Sequence, residues 1–239
     1  MKNGLIEEED LNFFLYDWLN IEEILIGSET DLDRETVDAF LNLSHMLAKD
    51  HFLPHYKTTD QNEPYLHDGQ VRVLKDISDA LDKYAELGMF AASFPEKYGG
   101  MGFPNIVANT AYTILAAANG ATIGYSLLTV ANARLIAKFG NEAQIEEFAV
   151  PQIKGEWFGT MCLSEPQAGS GLGDIKTKAT FEGQDALGDC YRLKGNKMWI
   201  SGGDQDISEN IVHLVLAKVP NTDGDLMEGT SGISLFIVP

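Results

Sequence analysis

Apolar residues recur every three or four positions from residue 5 to about residue 150, then give way to short β-branched and aromatic runs separated by Gly, Asp and Asn. The first texture predicts helices and the second predicts strands, so the chain reads as α+β with segregated layers rather than as a doubly wound sheet. We expect an all-α helical bundle over residues 1–154 and an antiparallel β-sandwich or barrel-like domain over residues 155–239. The boundary falls near Lys154-Gly155. Because the sequence stops at Leu235-Phe-Ile-Val-Pro239, inside an expected strand, this second domain is expected to be incomplete.

Within the helical part, residues 5–26 combine acid clusters with Leu11, Phe13, Phe14, Leu15, Trp18, Leu19, Ile21, Ile24 and Leu25. This predicts a helix or helix pair with a wide apolar face packed on the chain's own core, with a partner surface as the second reading. Gly27-Ser-Glu-Thr-Asp31 reads as a break with an N-cap signal. Residues 32–48 then place Leu32, Val37, Phe40, Leu41, Ser44 and Leu47 at helical spacing, 57–69 read as a loop, and 71–87 resume the helical period before Gly88. Phe94-Pro-Glu-Lys-Tyr-Gly-Gly-Met-Gly102 is a glycine-dense connection requiring positive φ at more than one place. Two helices rich in Ala, Ser, Thr and Gly follow, over 104–119 and 122–139, and a short one over 142–150 ends before Pro151. Strands are expected at 157–163, 177–181, 191–193, 197–200, 211–218 and 232–238. The 211–218 run is apolar almost throughout, which suits a central strand covered on both faces, with His213 a core histidine.

The charge balance narrows the partners. Seventeen basic residues stand against 36 acidic ones, a formal net charge of -19, so the field repels nucleic acid and anionic lipid. No apolar run approaches the ~18 residues of a membrane span, and the N-terminus has no signal-peptide pattern. Cys162 and Cys190 lack metal-ligand spacing and read as reduced thiols in a cytoplasmic protein. His51 and His55 are four apart, but Pro54 lies between them and no third ligand is near, so no metal site is assigned.

The candidate chemistry lies in two segments. Met161-Cys-Leu-Ser-Glu-Pro-Gln-Ala-Gly-Ser170 runs from a strand through a proline turn into a small-residue loop whose N–H groups can be approached closely; Ser164 and Ser170 add hydroxyl donors. Lys194-Gly-Asn-Lys-Met-Trp-Ile-Ser-Gly-Gly203 sets Trp199 beside Ser201, a flat ring next to a hydroxyl, which suits a flat polar ligand. Gly169-Ser-Gly-Leu-Gly173 is not a dinucleotide fingerprint, and no phosphate-loop lysine pattern occurs. From the residues alone, a surface loop beside a core tryptophan on a strand is the preferred reading, and a cofactor site the alternative.

These blocks resemble the signatures of the acyl-CoA dehydrogenase flavoproteins. They read Leu163-Ser-Glu-Pro166, Gly169-Ser170, Lys176-Thr-Lys-Ala179 and Gly195-Asn-Lys-Met-Trp-Ile-Ser201, and 94–102 is similar to another block of the family in the same order. The segment Gly202-Gly-Asp-Gln-Asp-Ile-Ser-Glu-Asn-Ile-Val-His213 looks most like the branch that includes the 3-methylmercaptopropionyl-CoA dehydrogenases. The sequence departs from the family pattern with Ser at 164 and 201, where Thr is frequent, and with Gln167 and Gly171 in the loop.

The resemblance implies FAD, and α,β-dehydrogenation of an acyl-CoA thioester. It implies that Met161, Leu163, Ser164, Trp199, Ile200 and Ser201 face the flavin, that Gly169 and Ser170 meet its pyrophosphate, and that Ser170 also lies near the acyl-CoA substrate. It further implies a homodimer or homotetramer at full length, with an electron-transfer flavoprotein as one candidate acceptor. The family's usual base is a glutamate of a C-terminal helical domain outside this sequence. No catalytic residue is therefore assigned here, and Glu165 is read as structural. Two alternatives stay open: an acyl-CoA oxidase, and a non-catalytic module that binds acyl-CoA or a partner on the same fold.

Overall fold

A computed structural model of the chain describes residues 5–26 and 32–239; the break expected at 27–31 lies outside them. The chain divides into two compact units, Met1–Leu127 with Ile153–Gly155, and Leu128–Gln152 with Glu156–Pro239.

In the first unit, α1 (Glu8–Asn12) passes through a wider π turn at Phe13–Trp18, and α2 (Ile21–Ile26) follows. Leu15, Ile21 and Leu25 enter the core, whereas Phe13, Phe14, Trp18, Leu19 and Ile24 stay exposed. Much of the apolar face expected to pack inward therefore does not, because the π turn rotates the aromatics away from the stripe that carries Leu15. Helix α3 (Arg34–Leu47) begins where Asp33 Oδ1 accepts from Thr36 N at 2.8 Å, and it buries Val37, Phe40, Leu41, Ser44 and Leu47 as the spacing predicts.

The expected loop at 57–69 is structured instead. Helix α4 (Tyr56–Gln61) precedes a hairpin of β1 (Tyr65–His67) and β2 (Gln70–Arg72). Asp68 and Gly69 both take positive φ, +49° and +79°, and an Asp-Gly pair was the available signal for such a turn. Helix α5 (Lys75–Glu86) buries Ile77, Ala80, Leu81 and Tyr84 and ends before left-handed Gly88. In the following connection Gly99 and Gly102 take φ of +81° and +69°, so positive φ falls at more than one place there, as expected.

The two helices expected at 104–119 and 122–139 form one 35-residue element, α6 (Asn105–Phe139), interrupted at the single non-helical residue Asn119. The Asn119 carboxamide donates to Phe52 O (3.3 Å) and Thr59 Oγ1 (3.1 Å) and accepts from Thr122 N (3.2 Å), which bridges the break. This helix is long and apolar enough, by length and composition, to cross a membrane, which the sequence reading did not register. Its interspersed Asn, Thr and Ser disguise the run. Val107, Ile114, Leu115, Ile123 and Ile136 are buried within the protein.

Further along the chain, α7 (Glu142–Gln144), a π turn at Ile145–Ala149 and α8 (Val150–Lys154) run on through Pro151, where the sequence predicts an end. The wider turn directly precedes the proline, which has no N–H to contribute to the helical ladder. The strands are β3 (Phe158–Cys162), β4 (Lys178–Asp185), β5 (Gly188–Lys194), β6 (Ile211–Lys218) and β7 (Ile233–Val238). They form one sheet of order β3-β6-β4-β5, with β7 also on β6. Antiparallel pairing was expected throughout, but β3 and β4 both run parallel to β6. Parallel neighbours require a long crossover, and residues 163–210 between β3 and β6 supply one. Central β6 buries Val212, Leu214, Val215, Ala217 and Lys218, as its apolar run predicted.

Asn132 of α6 locks this sheet to the helix within the same unit. Its Nδ2 donates to Thr160 O (2.9 Å) and Val212 O (2.7 Å), one carbonyl on each of the parallel strands, while Gln152 Nε2 donates to its Oδ1 at 3.0 Å. Thr129 Oγ1 accepts from Gly159 N at 3.1 Å. These bonds fix the β3 register and so the place where the strand releases its chain into the candidate site.

Candidate functional site

Strand β3 ends at Cys162, and the residues that follow are held by Glu165. Only 3% exposed, its carboxylate accepts from Lys176 N at 2.7 Å and Gln167 Nε2 at 2.7 Å on one oxygen. On the other it accepts from Thr177 Oγ1 (2.5 Å), Thr177 N (3.1 Å) and Lys197 Nζ (2.8 Å). Burial raises the carboxyl pKa, but the bonds from Lys197, Thr177 and the two backbone N–H groups outweigh it and bring it from 4.5 down to about 2. A carboxylate so held stays ionised and is a poor proton acceptor, which agrees with the structural role read from the sequence.

The three blocks quoted above, Ser164-Glu-Pro, Lys176-Thr177 and Gly195-Asn-Lys197, thus meet at one carboxylate. Lys197 Nζ also donates to Leu163 O at 3.0 Å, and Met198 N donates to Ser164 O at 3.0 Å. Gly195 allows the approach: a Cβ there would sit 2.1 Å from Thr177 Oγ1 and 2.7 Å from its Cα. Sequence reasoning named the outer residues of the site and missed Lys197, Thr177 and Gly195 as the parts that assemble it. For Lys197 the available signal was a charge complementary to Glu165; Thr177 and Gly195 carried none.

The sequence-predicted residues fall as follows. Met161 on β3, Leu163 and Ser164 are half-buried. Trp199, Ile200 and Ser201 lie beside them through the Lys197 and Met198 bonds, but not on the expected strand over 197–200. That run is irregular because Trp199 takes φ +55°, which ends extended pairing after the single Met198 bond. The indole is 79% exposed, not a core ring. Gly169 and Ser170 lie on an exposed loop that is tied back by Glu165 and Ala168, which exchange both backbone bonds at 2.8 and 3.0 Å. No bond joins that loop to 197–201 among the described residues. The hydroxyls of Ser164, Ser170 and Ser201 and the indole N–H make no hydrogen bond to the described residues. A Cβ at Gly169 would meet nothing within 4 Å, so its backbone is open to approach.

Two further clusters lie outside this constellation. On β3 and β6, His213 Nδ1 is 2.7 Å from Thr160 Oγ1 and 3.8 Å from Cys162 Sγ. Burial pushes the imidazole pKa down and the thiol pKa up, so both favour their neutral forms, as core residues do. His55 is buried with Nε2 2.8 Å from Thr122 Oγ1. Among the described residues no three His, Cys, Asp or Glu side chains group so as to hold a metal.

What the main constellation can do follows from its parts. An exposed indole and two free hydroxyls at the end of β3 can hold a flat polar ring, and an open Gly-Ser backbone can hold an anion.

Residues 34–156 match the model of the acyl-CoA dehydrogenase N-terminal domain. The chain is 34% identical over 228 residues to the 3-methylmercaptopropionyl-CoA dehydrogenase of Ruegeria pomeroyi, aligning 94% of this chain with 37% of that protein. Among solved structures, the butyryl-CoA dehydrogenase of Megasphaera elsdenii is similar over 88% of this chain and 49% of its own, at 28% identity and a TM-score of 0.67. An acyl-CoA dehydrogenase from Bacillus anthracis, complexed with FAD, is similar over 88% of this chain and 31% of its own, at 26% identity and a TM-score of 0.66. The chain thus spans less than half the length of these proteins.

Proposed function

The chain belongs to the acyl-CoA dehydrogenase family, and from that premise we propose that it forms part of an FAD-dependent enzyme for α,β-dehydrogenation of acyl-CoA thioesters. The observation that carries the reading is the junction of the two candidate segments at Glu165, which sets Trp199, Ser164 and Ser201 free of other duties at the exit of β3.

The residues fit the flavin. Met161, Leu163, Trp199 and Ile200 offer apolar and aromatic surface to its ring system, Ser164 and Ser201 offer hydroxyl donors for its polar edge, and Gly169 and Ser170 offer an open backbone and a hydroxyl for its pyrophosphate. We also assign Ser170 to the coenzyme A ester, on the family resemblance of the Gly169-Ser170 block. Bound FAD supplies the acceptor for the β-hydrogen of the acyl chain. The part played by these residues is to position the ligand, because their backbone is already held by the Glu165 clamp before the ligand arrives. Glu165 and Lys197 hold that backbone. No residue of this chain is assigned as the base that removes the α-proton.

For the whole protein we propose a cytoplasmic homodimer or homotetramer with an electron-transfer flavoprotein as acceptor. The two free cysteines, Cys162 and Cys190, accord with a reducing compartment. The test is a visible spectrum of the purified chain after FAD is added and the excess removed. Retained flavin bands that are lost on Trp199→Ala support the reading. A colourless chain, together with a colourless full-length protein, would sink it.

A further inference from the structure

Lys218, at the end of β6, is a cation in an unusual place. It is 4% exposed, yet no carboxylate pairs with it among the described residues. Its ammonium donates to two backbone carbonyls, Gly173 O at 2.7 Å and Met227 O at 2.9 Å, and its own backbone N–H donates to Thr177 O at 2.8 Å. A buried charge without a counter-ion is costly and is seldom kept where a neutral side chain would pack as well. The bonds show where its influence goes. Gly173 closes the Gly169–Ser170 loop, Thr177 is a ligand of Glu165, and Met227 belongs to the 219–232 loop, whose Gly229 backbone lies against Gly173, with a Cβ there 3.0 Å from Gly229 Cα.

We propose that Lys218 is a positioning residue for anion binding at the Gly169–Ser170 loop. It fixes the loop through Gly173 O, and its uncompensated positive charge favours a pyrophosphate-bearing ligand on the open backbone. Acids outnumber bases by 36 to 17 in this chain, so a local cation withdrawn from screening is what an anion site here requires. The proposal deepens the flavin reading and rests on it only for whose pyrophosphate is bound, that of FAD or that of a coenzyme A ester.

The test uses three ligands on the whole chain: ADP, which carries a pyrophosphate and no flavin, riboflavin, which carries the ring and no phosphate, and FAD, which carries both. In Lys218→Met, ADP and FAD affinity should fall by roughly tenfold or more, while riboflavin affinity stays within about twofold and Lys218→Arg restores the ADP affinity. An equal loss for all three ligands would mean a merely structural lysine and would overturn the proposal, as would unchanged ADP binding or no ADP binding by the wild type. Should Lys218→Met fail to fold, the wild type decides: ADP must move the ¹⁵N resonance of the Lys218 ammonium and the amides of Gly169 to Gly173, and an unmoved set overturns it. A wild type that binds ADP in this way but no riboflavin would keep the Lys218 proposal and remove the flavin reading. Displacement of ADP by FAD or by coenzyme A identifies the source of the anion.

Discussion

The Lys197 ammonium lies 2.8 Å from the Glu165 carboxylate, and this pair joins two segments 32 residues apart in the chain. Glu165 has four further donors to this one side chain, so its charge is both buried and satisfied. Replacing Glu165 by Gln leaves Lys197 beside a neutral amide and strands donors evolved for a carboxylate. Breaking a buried pair in this way costs about 3 kcal/mol. Urea unfolding of Glu165→Gln should show that loss.

The same carboxylate sets a pH dependence. Its pKa is depressed from 4.5 to about 2 in the folded chain, so the stability it contributes is complete above the unfolded value and is lost as pH falls from about 5 toward 2. The contribution at neutral pH is about 3 kcal/mol, from a shift of 4.5 to about 2. Wild-type unfolding free energy should fall across that window, and Glu165→Gln should show a flatter profile there. An identical slope in both proteins would mean that Glu165 is not clamped as described.

Asn132 offers a test of the scaffold rather than of the site. Its Nδ2 serves the carbonyls of Thr160 and Val212, one on each of two parallel strands. Asn132→Leu keeps the size and removes both donors, each a second bond to a carbonyl that the β3–β6 ladder already pairs, so the loss is that of two ordinary hydrogen bonds, about 1 kcal/mol each. We expect a loss of about 2 kcal/mol by chemical denaturation, with a larger loss of amide protection at β3 than elsewhere.

The sequence made the layers, the central strand β6 and the two candidate segments legible, each for a local reason. Helical spacing of Val37, Phe40, Leu41 and Leu47 is a periodic signal, and so is the apolar run of 211–218. What stayed hidden depends on tertiary geometry. The parallel pairing of β3 with β6 is decided by a crossover of 48 residues whose path no local pattern records. Trp199 looked like a strand residue because Met198-Trp-Ile is apolar, and only its left-handed backbone turns the ring outward. Lys197, Thr177 and Gly195 read singly as a surface cation, a β-former and a turn; they acquire a purpose only when Glu165 is placed among them.

Gly195 marks how closely the segments are pressed together. A methyl group there would overlap both the side chain and the backbone of Thr177, so Gly195→Ala must push the 195–201 segment away from Glu165. Overpacking of this kind costs about 1–3 kcal/mol. A drop in melting temperature should be accompanied by loss of flavin retention, since Lys197 moves with the segment. A variant that melts lower yet holds FAD as firmly as the wild type would separate the clamp from the site.

Trp199 is the residue at which stability and function are opposed. Its ring is 79% exposed and its φ is +55°, a conformation that disfavours any side chain and favours glycine. The fold gains little from an indole in solvent and is strained by holding it there, so a structural role does not explain the residue. Trp199→Gly should therefore relieve the backbone and leave the unfolding free energy unchanged or raised, by up to about 1 kcal/mol, after allowance for the added freedom of glycine in the unfolded chain. The same variant removes the ring surface offered to a flavin, and its FAD affinity should fall by about tenfold or more, the equivalent of losing one aromatic stacking contact. Thermal unfolding and a flavin titration on one protein sample read both quantities. Lower stability with unaltered FAD binding would reverse the argument and make the indole part of the fold rather than part of the site.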